Sequence, residues 1–381
     1  MKRKLVKAAF YRGGTSKAVM FNAADLPQSK DLRDRIFLQV MGSPDAYGRQ
    51  LDGMGGGISS LSKIVIVEPS LRDDADIDYT FVQIAVDEPV ADYGQLCGNM
   101  SSAVGPFALE EGLVSATGDQ AVVRVHNTNT GKVFHSTFAV NDGYVIEVGD
   151  FQIPGVSQSG AKVQLDFLDP GGSSTGQLLP TGQTVEDLIV PGLGTFRVSM
   201  VDASNPVVFV NAVDLGLRGD ESPMDLDADK VLMEKLNKIR RHGAVAMGMA
   251  TLPENVQLSI PKVALVAEST TFTALDGNSH DSSDYHVSVR LVSMENFHRA
   301  ITLTGAMCVA VAARIPGTLI EAHVPPAVDV LIGNPSGVLP VQADVEQGPD
   351  GLIARSVTTF RTQRRIMEGY LSYPESLEAV K

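Results

Sequence analysis

The sequence predicts an α+β protein in which strands outnumber helices and one arrangement occurs twice. Three observations support this: apolar residues alternate with polar ones in many short runs, few segments have helical periodicity, and motifs of the first half recur in order in the second. The length of 381 residues is enough for two domains, each with its own hydrophobic core.

Most of the predicted secondary structure is strand. Apolar residues recur at every second position in runs bounded mostly by Gly, Asp, Asn or Pro, namely 63–67, 79–86, 121–125, 144–148, 196–200, 206–210 and 286–292. Helical periodicity is clearest in 31–41, 99–112, 229–242, 304–313 and 362–370. This balance predicts sheets that each carry one or two helices.

Several motifs recur, which indicates an internal duplication. They pair 21–26 with 210–215, 62–67 with 261–266, 78–79 with 284–285, and 97–98 with 304–305. Each match is weak alone, but their common order is hard to attribute to chance. We therefore predict two similar domains, 1–184 and 185–381, joined through the Gly/Ser-rich stretch 170–176 and the turn 180–184, with the C-terminal segment able to pack back on the first.

The composition argues against some classes of binding partner. The chain has 31 Lys and Arg against 45 Asp and Glu, a formal charge of −14, which argues against broad nucleic-acid or anionic-membrane binding but permits a local anion site. No apolar run reaches the about 18 residues of a membrane span, and no signal peptide is recognisable. Cys97 and Cys308 form neither a disulfide framework nor a zinc cluster, so a reducing, cytoplasmic location is expected.

Two Gly-led helix starts are candidate anion sites. Cys97-Gly98 and Thr304-Gly305 each open a helix of small residues at corresponding places in the two halves. If a pseudo-two-fold axis relates the halves, both helix N-termini can face one cleft and present unpaired N–H groups with about half a positive charge each. That geometry suits a small dianion or trianion.

Cys97 and Lys63 are the candidate proton-transfer residues. A helix N-terminus favours the thiolate form of a cysteine, which can then act as a base or nucleophile; the alternative role is a small core residue. Lys63 starts a strand directly after the Gly/Ser-rich run 55–62, and is either a solvated edge residue or a partly desolvated base. Cys308 lies inside its helix among Ala and Val, which favours a core role.

Other polar candidates lie in loops. The run Arg12–Lys17 combines glycines, hydroxyls and cations that can hold a carboxylate, but it lacks P-loop spacing and precedes a strand. Ser59 and Ser60 precede Lys63, and His298 lies just before the second Gly-led helix as either a substrate contact or a surface or capping histidine. The remaining histidines form no metal-ligand motif.

Together these motifs resemble the PrpF-type isomerase family, which includes 2-methylaconitate cis–trans isomerase, 4-oxalomesaconate tautomerase and methylitaconate Δ-isomerase. The matching stretches span almost the whole chain: 12–17, 42–53, 59–63, 97–107, 205–212, 243–248 and 315–317. The resemblance implies a diaminopimelate-epimerase-like fold, with two pseudo-symmetric halves that each wrap a mostly antiparallel sheet around a central helix. It also implies a cofactor-independent isomerase without a metal.

The resemblance assigns roles to residues. Lys63 and Cys97 match the catalytic positions, while Ser16 and Asn99 match positions expected to hold substrate carboxylates. The partner is then a small anionic unsaturated di- or tricarboxylate, and a homodimer is compatible with the exposed strand edges. With the loops and helix starts included, the predicted substrate-binding set is Ser16, Lys17, Ser59, Ser60, Gly98, Asn99, His298, Thr304 and Gly305.

Several alternatives stay open. The substrate could be 2-methylaconitate, 4-oxalomesaconate, methylitaconate or aconitate, and either Lys63 or Cys97 could remove the first proton. A non-catalytic accessory protein of a dehydratase is a hypothesis from another class, although a scaffold has no use for a paired base. An amino-acid epimerase or racemase would need a second thiol, and Thr304, or Thr302 if the alignment slips, stands in its place.

Overall fold

The chain forms two compact units. A computed structural model describes residues 2–94, 96–257, 260–293, 296–326, 328–349 and 351–378. Unit 1 consists of residues 1–167 with 360–381, and unit 2 consists of residues 168–359. The boundary between residues 184 and 185 stays a prediction, since compact units and repeated halves need not coincide.

The secondary structure is dominated by strands. The first nine are β1 (Arg3–Gly13), β2 (Ser16–Asn22), β3 (Lys63–Pro69), β4 (Ile77–Ile84), β5 (Ala91–Asp92), β6 (Gln120–Asn127), β7 (Lys132–Asn141), β8 (Tyr144–Val145) and β9 (Val163–Leu168). They are followed by β10 (Glu186–Val190), β11 (Gly194–Ala203), β12 (Asn205–Asn211), β13 (Lys262–Glu268), β14 (Phe272–Thr273), β15 (Ser279–His280), β16 (Val287–Ser293), β17 (Asn296–Phe297), β18 (Val330–Asn334), β19 (Gly337–Gly348), β20 (Gly351–Arg361) and β21 (Gln363–Pro374).

The helices are α1 (Lys30–Met41), α2 (Gly98–Glu110), α3 (Pro223–Ala228), α4 (Lys230–Ala246) and α5 (Leu303–Ala312). Within the described residues, none of them has both the length and the apolar character needed to cross a membrane.

The two units repeat one sheet plan. The strand order is β21-β1-β2-β3-β4-β6-β7-β9 in unit 1 and β10-β11-β12-β13-β16-β18-β19-β20 in unit 2. In both, the third strand is parallel to the fourth and the fifth is parallel to the sixth, while the other neighbours are antiparallel. This repetition confirms the predicted α+β fold of two mostly antiparallel, pseudo-symmetric halves.

Two helices lie on opposite faces of the unit 1 sheet. The Ser29 side chain caps α1, which ends at Gly42 in the left-handed conformation with φ 75°. Its apolar side packs on the face that carries Ile64 and Val82. The other helix, α2, is buried almost all round, as expected of a helix without a polar stripe at the centre of a domain.

Unit 2 has a corresponding pair of helices. The Asp229 side chain caps α4, whose Leu236 and Ile239 belong to the core formed with β10–β13. Buried α5 contacts β11 through Cys308, whose Sγ lies 3.4 Å from the Val201 backbone oxygen. Both α2 and α5 follow the fifth strand of their sheet, which explains why their motifs recur in the sequence.

The prediction of a helix at 362–370 is wrong. The structure places nearly all of this segment in β21, which pairs with the whole of β1. Its Arg, Gln, Met and Glu residues favour helix, but its more and less exposed positions alternate and β1 satisfies its backbone, so tertiary pairing overrides local propensity. The predicted strand 144–148 is shorter than expected, since only Tyr144–Val145 pairs.

The Gly/Ser-rich stretch 170–176 is anchored by one buried carboxylate. Asp202 accepts hydrogen bonds from Ser173 Oγ at 2.6 Å, from the N–H groups of Ser174 and Thr175 at 2.8 and 2.7 Å, and from Thr175 Oγ1 at 2.9 Å. The sequence predicted only a connection between the two domains here. Four donors converging on one carboxylate instead fix the loop.

Candidate active site

Lys63, the first residue of β3, has a buried side chain. It lies opposite Gln83 of β4, and its Nζ donates to Gln83 Oε1 at 2.6 Å. The Gln83 amide is held in turn, because its Nε2 donates to the backbone oxygens of Ser59 and Ser62 at 3.0 and 2.8 Å. No carboxylate pairs with Lys63 in the part of the chain that the structure describes. Neutral groups therefore orient this ammonium and leave its charge available to an anion.

Cys97 occupies the N-cap position of α2. Its thiol is free and half-buried, and it makes no capping hydrogen bond to the helix. The first N–H groups of α2, beginning at buried Gly98, are therefore not capped by this side chain, and this helix end carries partial positive charge. Such an end stabilises negative charge on a bound molecule.

Tyr79 fixes the start of α2 against β4. Its hydroxyl donates to the Cys97 backbone oxygen at 3.3 Å. Burial, and then the negative charge that Cys97 can carry, raises the pKa of Tyr79 well above its ordinary value. Tyr79 is therefore a neutral hydrogen-bond donor at physiological pH.

One face of β4 brings the two candidates together. Tyr79, Phe81 and Gln83 alternate along the strand and so share a face. Cys97 contacts Tyr79, while Lys63 contacts Gln83 and lies with its Nζ 4.9 Å from the centre of the Phe81 ring. The Lys63 ammonium and the start of α2, whose N-cap residue carries a thiol, thus both contact one face of β4, and such groups can perform acid–base chemistry on an anion.

The glycine-rich loop predicted to hold a carboxylate packs against α2. Gly14 and Thr15 connect β1 to β2, and Asn99 Nδ2 donates to Thr15 Oγ1 at 3.1 Å. Gly14 has φ 51°, and a Cβ there would lie 2.3 Å from Asn99 Oδ1. Glycine is therefore required where the loop meets the first turn of the helix.

Ser16 shares this location, whereas Lys17 does not. Ser16 is 3% exposed and lies opposite Gly13. Gly13 packs closely on α2, because a Cβ atom added to it would lie 2.8 Å from the Asn99 backbone oxygen. Directly opposed residues share a sheet face, so Ser16 lies on the face that meets α2. Lys17 is on the other face, with its Nζ 5.5 Å from the centre of the Phe10 ring.

The predicted serines precede Lys63 in a short turn. Ser59 is exposed and uses its backbone oxygen to hold Gln83, while Ser60 is half-buried. The loop before them is ordered by buried Gln50, whose Nε2 donates to Ser43 Oγ and Ser62 Oγ at 2.7 Å each. This amide network supports the turn that positions Lys63.

His298 lies in unit 2 near a second buried lysine. Burial, and then the positive charges of Lys262 and Arg299, lowers the pKa of His298 to about 4, so its imidazole is neutral at pH 7. Lys262 begins β13 as Lys63 begins β3, and burial lowers its pKa to about 8. The structure brings these two groups into one electrostatic environment within unit 2.

Thr302, rather than Thr304, caps the second central helix. Thr302 Oγ1 accepts from the Gly305 N–H at 3.1 Å, and α5 begins at Leu303. Thr304 is half-buried in the first turn of α5. Gly305 is buried, and a Cβ atom added to it would lie 2.8 Å from Leu291 Cδ2. The N-cap that Cys97 holds in unit 1 is thus held by a threonine in unit 2.

Sequence reasoning missed Tyr79, Gln83 and Lys262. Gln83 could have been noticed, because it is a polar residue in a largely apolar strand and it lies on the same face as Tyr79 and Phe81. Lys262 could have been found from the repeated motif that places it at the position of Lys63.

The family model described as PrpF protein matches residues 3–374. The chain belongs to the PrpF family. It is 37% identical to a 2-methyl-aconitate isomerase of Shewanella oneidensis, over 97% of each chain. It is also 37% identical to a 3-methylitaconate isomerase of Eubacterium barkeri, over 98% of each chain. A 4-oxalomesaconate tautomerase of Pseudomonas putida is 37% identical, over 94% of this chain and 93% of the relative.

Solved structures agree with this PrpF assignment. The crystal structure of a methylitaconate-delta-isomerase superimposes with a TM-score of 0.89 at 36% identity, over 99% of this chain and 97% of that one. A hydroxyproline epimerase from Agrobacterium vitis shares the fold alone, with a TM-score of 0.53 at 12% identity over 98% of this chain and 94% of that one. This PrpF-family protein is therefore an isomerase with an epimerase-like fold.

Proposed function

We propose that the protein is a cofactor-independent isomerase that moves a proton within a small unsaturated di- or tricarboxylate, with Lys63 and Cys97 as the proton-transferring pair. The observation that supports this proposal is that the Lys63 Nζ contacts Gln83 and the Cys97 backbone oxygen contacts Tyr79, two residues of one face of β4. Ser16 and Asn99, at the start of α2, are the proposed carboxylate-binding residues.

The reaction follows from carbon acidity. A base removes a proton from the allylic carbon, and the electron pair of that C–H bond delocalises into a carboxylate-stabilised dienolate. Hydrogen-bond donors and the positive end of α2 lower the energy of this anion. Return of a proton to the same carbon after bond rotation gives cis–trans isomerisation, while return to the far carbon shifts the double bond. No electrons leave the substrate in either case.

The names of the relatives define the candidate substrates. The isomerases and the tautomerase similar to this chain are named for 2-methylaconitate, 3-methylitaconate and 4-oxalomesaconate. All three are small, unsaturated and carry at least two carboxylates. We extend this class, with aconitate as a fourth candidate, to the present protein.

A two-thiol racemase is less well supported. Cys308 is fully buried inside α5, and burial raises the pKa of its thiol well above its ordinary value. This group supplies no thiolate at neutral pH, and Thr302 holds the N-cap position that would correspond to Cys97. This difference between the two halves favours a reaction in which Lys63 and Cys97, rather than two thiols, transfer the proton.

Proton NMR of the purified protein with each of the four acids tests the proposal. We expect one acid to be converted to an isomer without any added cofactor. A non-catalytic accessory protein would leave all four spectra unchanged, and that result would reject an isomerase acting on these acids.

A further inference from the structure

A buried arginine in unit 1 has no counter-charge among the residues that the structure describes. Arg361 is 5% exposed, and its Nη1 donates to the Phe360 backbone oxygen at 2.8 Å. No carboxylate forms an ion pair with it anywhere in the described residues. Burial alone lowers its pKa to about 10, without a contribution from a neighbouring charge. Buried guanidinium groups are normally paired, because desolvation of an isolated charge is costly.

The two residues that follow carry unsatisfied polar atoms. Thr362 and Gln363 are 0% and 3% exposed, and within the described part of the chain neither Thr362 Oγ1 nor Gln363 Oε1 has a hydrogen-bond partner. Unpaired buried polar atoms are few in native proteins, so two consecutive residues with such atoms, directly after a buried arginine, call for an explanation. A bound polar molecule is one explanation, and an ordered water is the other.

This segment adjoins the loop and helix of the proposed active site. The Thr362 backbone oxygen accepts from the Gly14 N–H and from Arg12 Nη1, both at 3.0 Å. Gln363 lies directly opposite Gly13 in β1, just as Ser16 does from the other side. Ser16, Gly13 and Gln363 thus form one row across β2, β1 and β21, and this row packs on Asn99 at Gly13. The Gln363 side chain therefore shares the sheet face of Ser16 at the start of α2.

From these contacts we propose that Arg361 and Gln363 form a further carboxylate-binding subsite of the same site, with a ligand carboxylate as the missing counter-charge of Arg361. Arg361 and Gln363 are two positions apart in sequence, so their Cα atoms are at most about 7 Å apart, a span that one small polycarboxylate covers. The guanidinium donates to the carboxylate, and the Gln363 amide completes its hydrogen bonding. This subsite deepens the proposed function and rests on it for the identity of the substrate.

The test uses tricarballylate, a saturated tricarboxylate that has no allylic proton, and measures its Kd by calorimetry. We expect Arg361→Gln to weaken binding by at least about 10-fold, Arg361→Lys to weaken it less, and the charge-matched control Arg3→Gln, which alters an exposed residue of β1, to leave it unchanged. With the substrate identified, Arg361→Gln should raise KM more than it lowers kcat. The melting temperature of ligand-free Arg361→Gln should not fall, because an uncompensated buried charge is removed.

Gln363→Glu supplies a second test if Arg361→Gln fails to fold. It places an internal carboxylate near Arg361, so we expect the melting temperature to be kept or raised while tricarballylate binding is lost. Unchanged affinity in either variant, or no binding to the wild type, would overturn the subsite and leave water as the partner of these groups. Arg361-dependent binding without isomerisation of any acid would instead overturn the proposed function and keep the subsite.

Discussion

The ammonium of Lys63 and the side-chain oxygen of Gln83 lie 2.6 Å apart, across two directly opposed positions of antiparallel strands. A neutral amide, itself held by two backbone oxygens, thus orients the proposed proton-transfer lysine without neutralising it. A carboxylate at this position would bind the ammonium more tightly and compete with an anionic substrate.

Replacement of Gln83 should therefore reduce catalysis while preserving the fold. We expect Gln83→Glu to lower kcat/KM by about 10-fold or more, because the new carboxylate pairs with Lys63. Gln120→Glu, at an exposed position of β6, makes the same change in charge and should have no effect. Steady-state kinetics of both variants check this, and equal activities would show that Lys63 does not depend on its neutral partner.

The two cysteines should differ in reactivity. Cys97 is half-buried at the start of α2, whereas Cys308 is fully buried in α5 with a raised pKa. We expect one thiol to react with a disulfide reagent in the folded protein and the second only after denaturation. Saturating tricarboxylate should slow the first reaction. Labelling of Cys308 at a comparable rate in the native state would contradict this assignment.

His298 should make stability depend on pH below neutrality. Its folded-state pKa of about 4 lies below the ordinary value of 6.5, so between these pH values the unfolded chain binds more protons and stability falls as pH falls. The loss from pH 7 to pH 4 is roughly 3 kcal/mol. In urea unfolding from pH 7 to pH 4, His298→Gln should show a smaller decrease than the wild type. An identical decrease would mean that His298 is not desolvated, and His135→Gln serves as a control.

Asp202 should be a stability residue without a catalytic role. Its carboxylate accepts four hydrogen bonds from the 173–175 loop while fully buried. Asp202→Ala leaves those donors unpaired, and we expect a loss of about 3 kcal/mol in the free energy of unfolding. Asp187→Ala, at an exposed position of β10, should change it by under about 0.5 kcal/mol. Chemical denaturation of both variants measures the difference.

The sequence predicted those site residues that stand where secondary structure begins. Lys63 is the first residue of a strand and Cys97 occupies the N-cap position of a helix, and both boundaries leave local signals in the chain. The duplication could also be predicted, because equivalent strands and helices keep their order and because β3 and β13 both begin with a lysine.

Partners set by long-range register could not be predicted. Gln83 meets Lys63, and Gln363 meets Gly13, only through strand pairings that no local pattern specifies. The wrong helix at 362–370 has the same origin, since that segment is extended because β1 pairs with it. The sequence likewise could not show that Arg361 is buried without a carboxylate partner among the described residues, because burial and pairing depend on the folded structure.

The most direct test of Lys63 measures by NMR how fast deuterium from D2O enters the allylic carbon of the acid that the wild type isomerises. The measurement compares Lys63→Met with Lys4→Met, a control at an exposed lysine. We expect wild-type exchange in the control and a loss of at least about 10²-fold in Lys63→Met, with an unchanged melting curve. Wild-type exchange in folded Lys63→Met would show that this lysine does not transfer the proton.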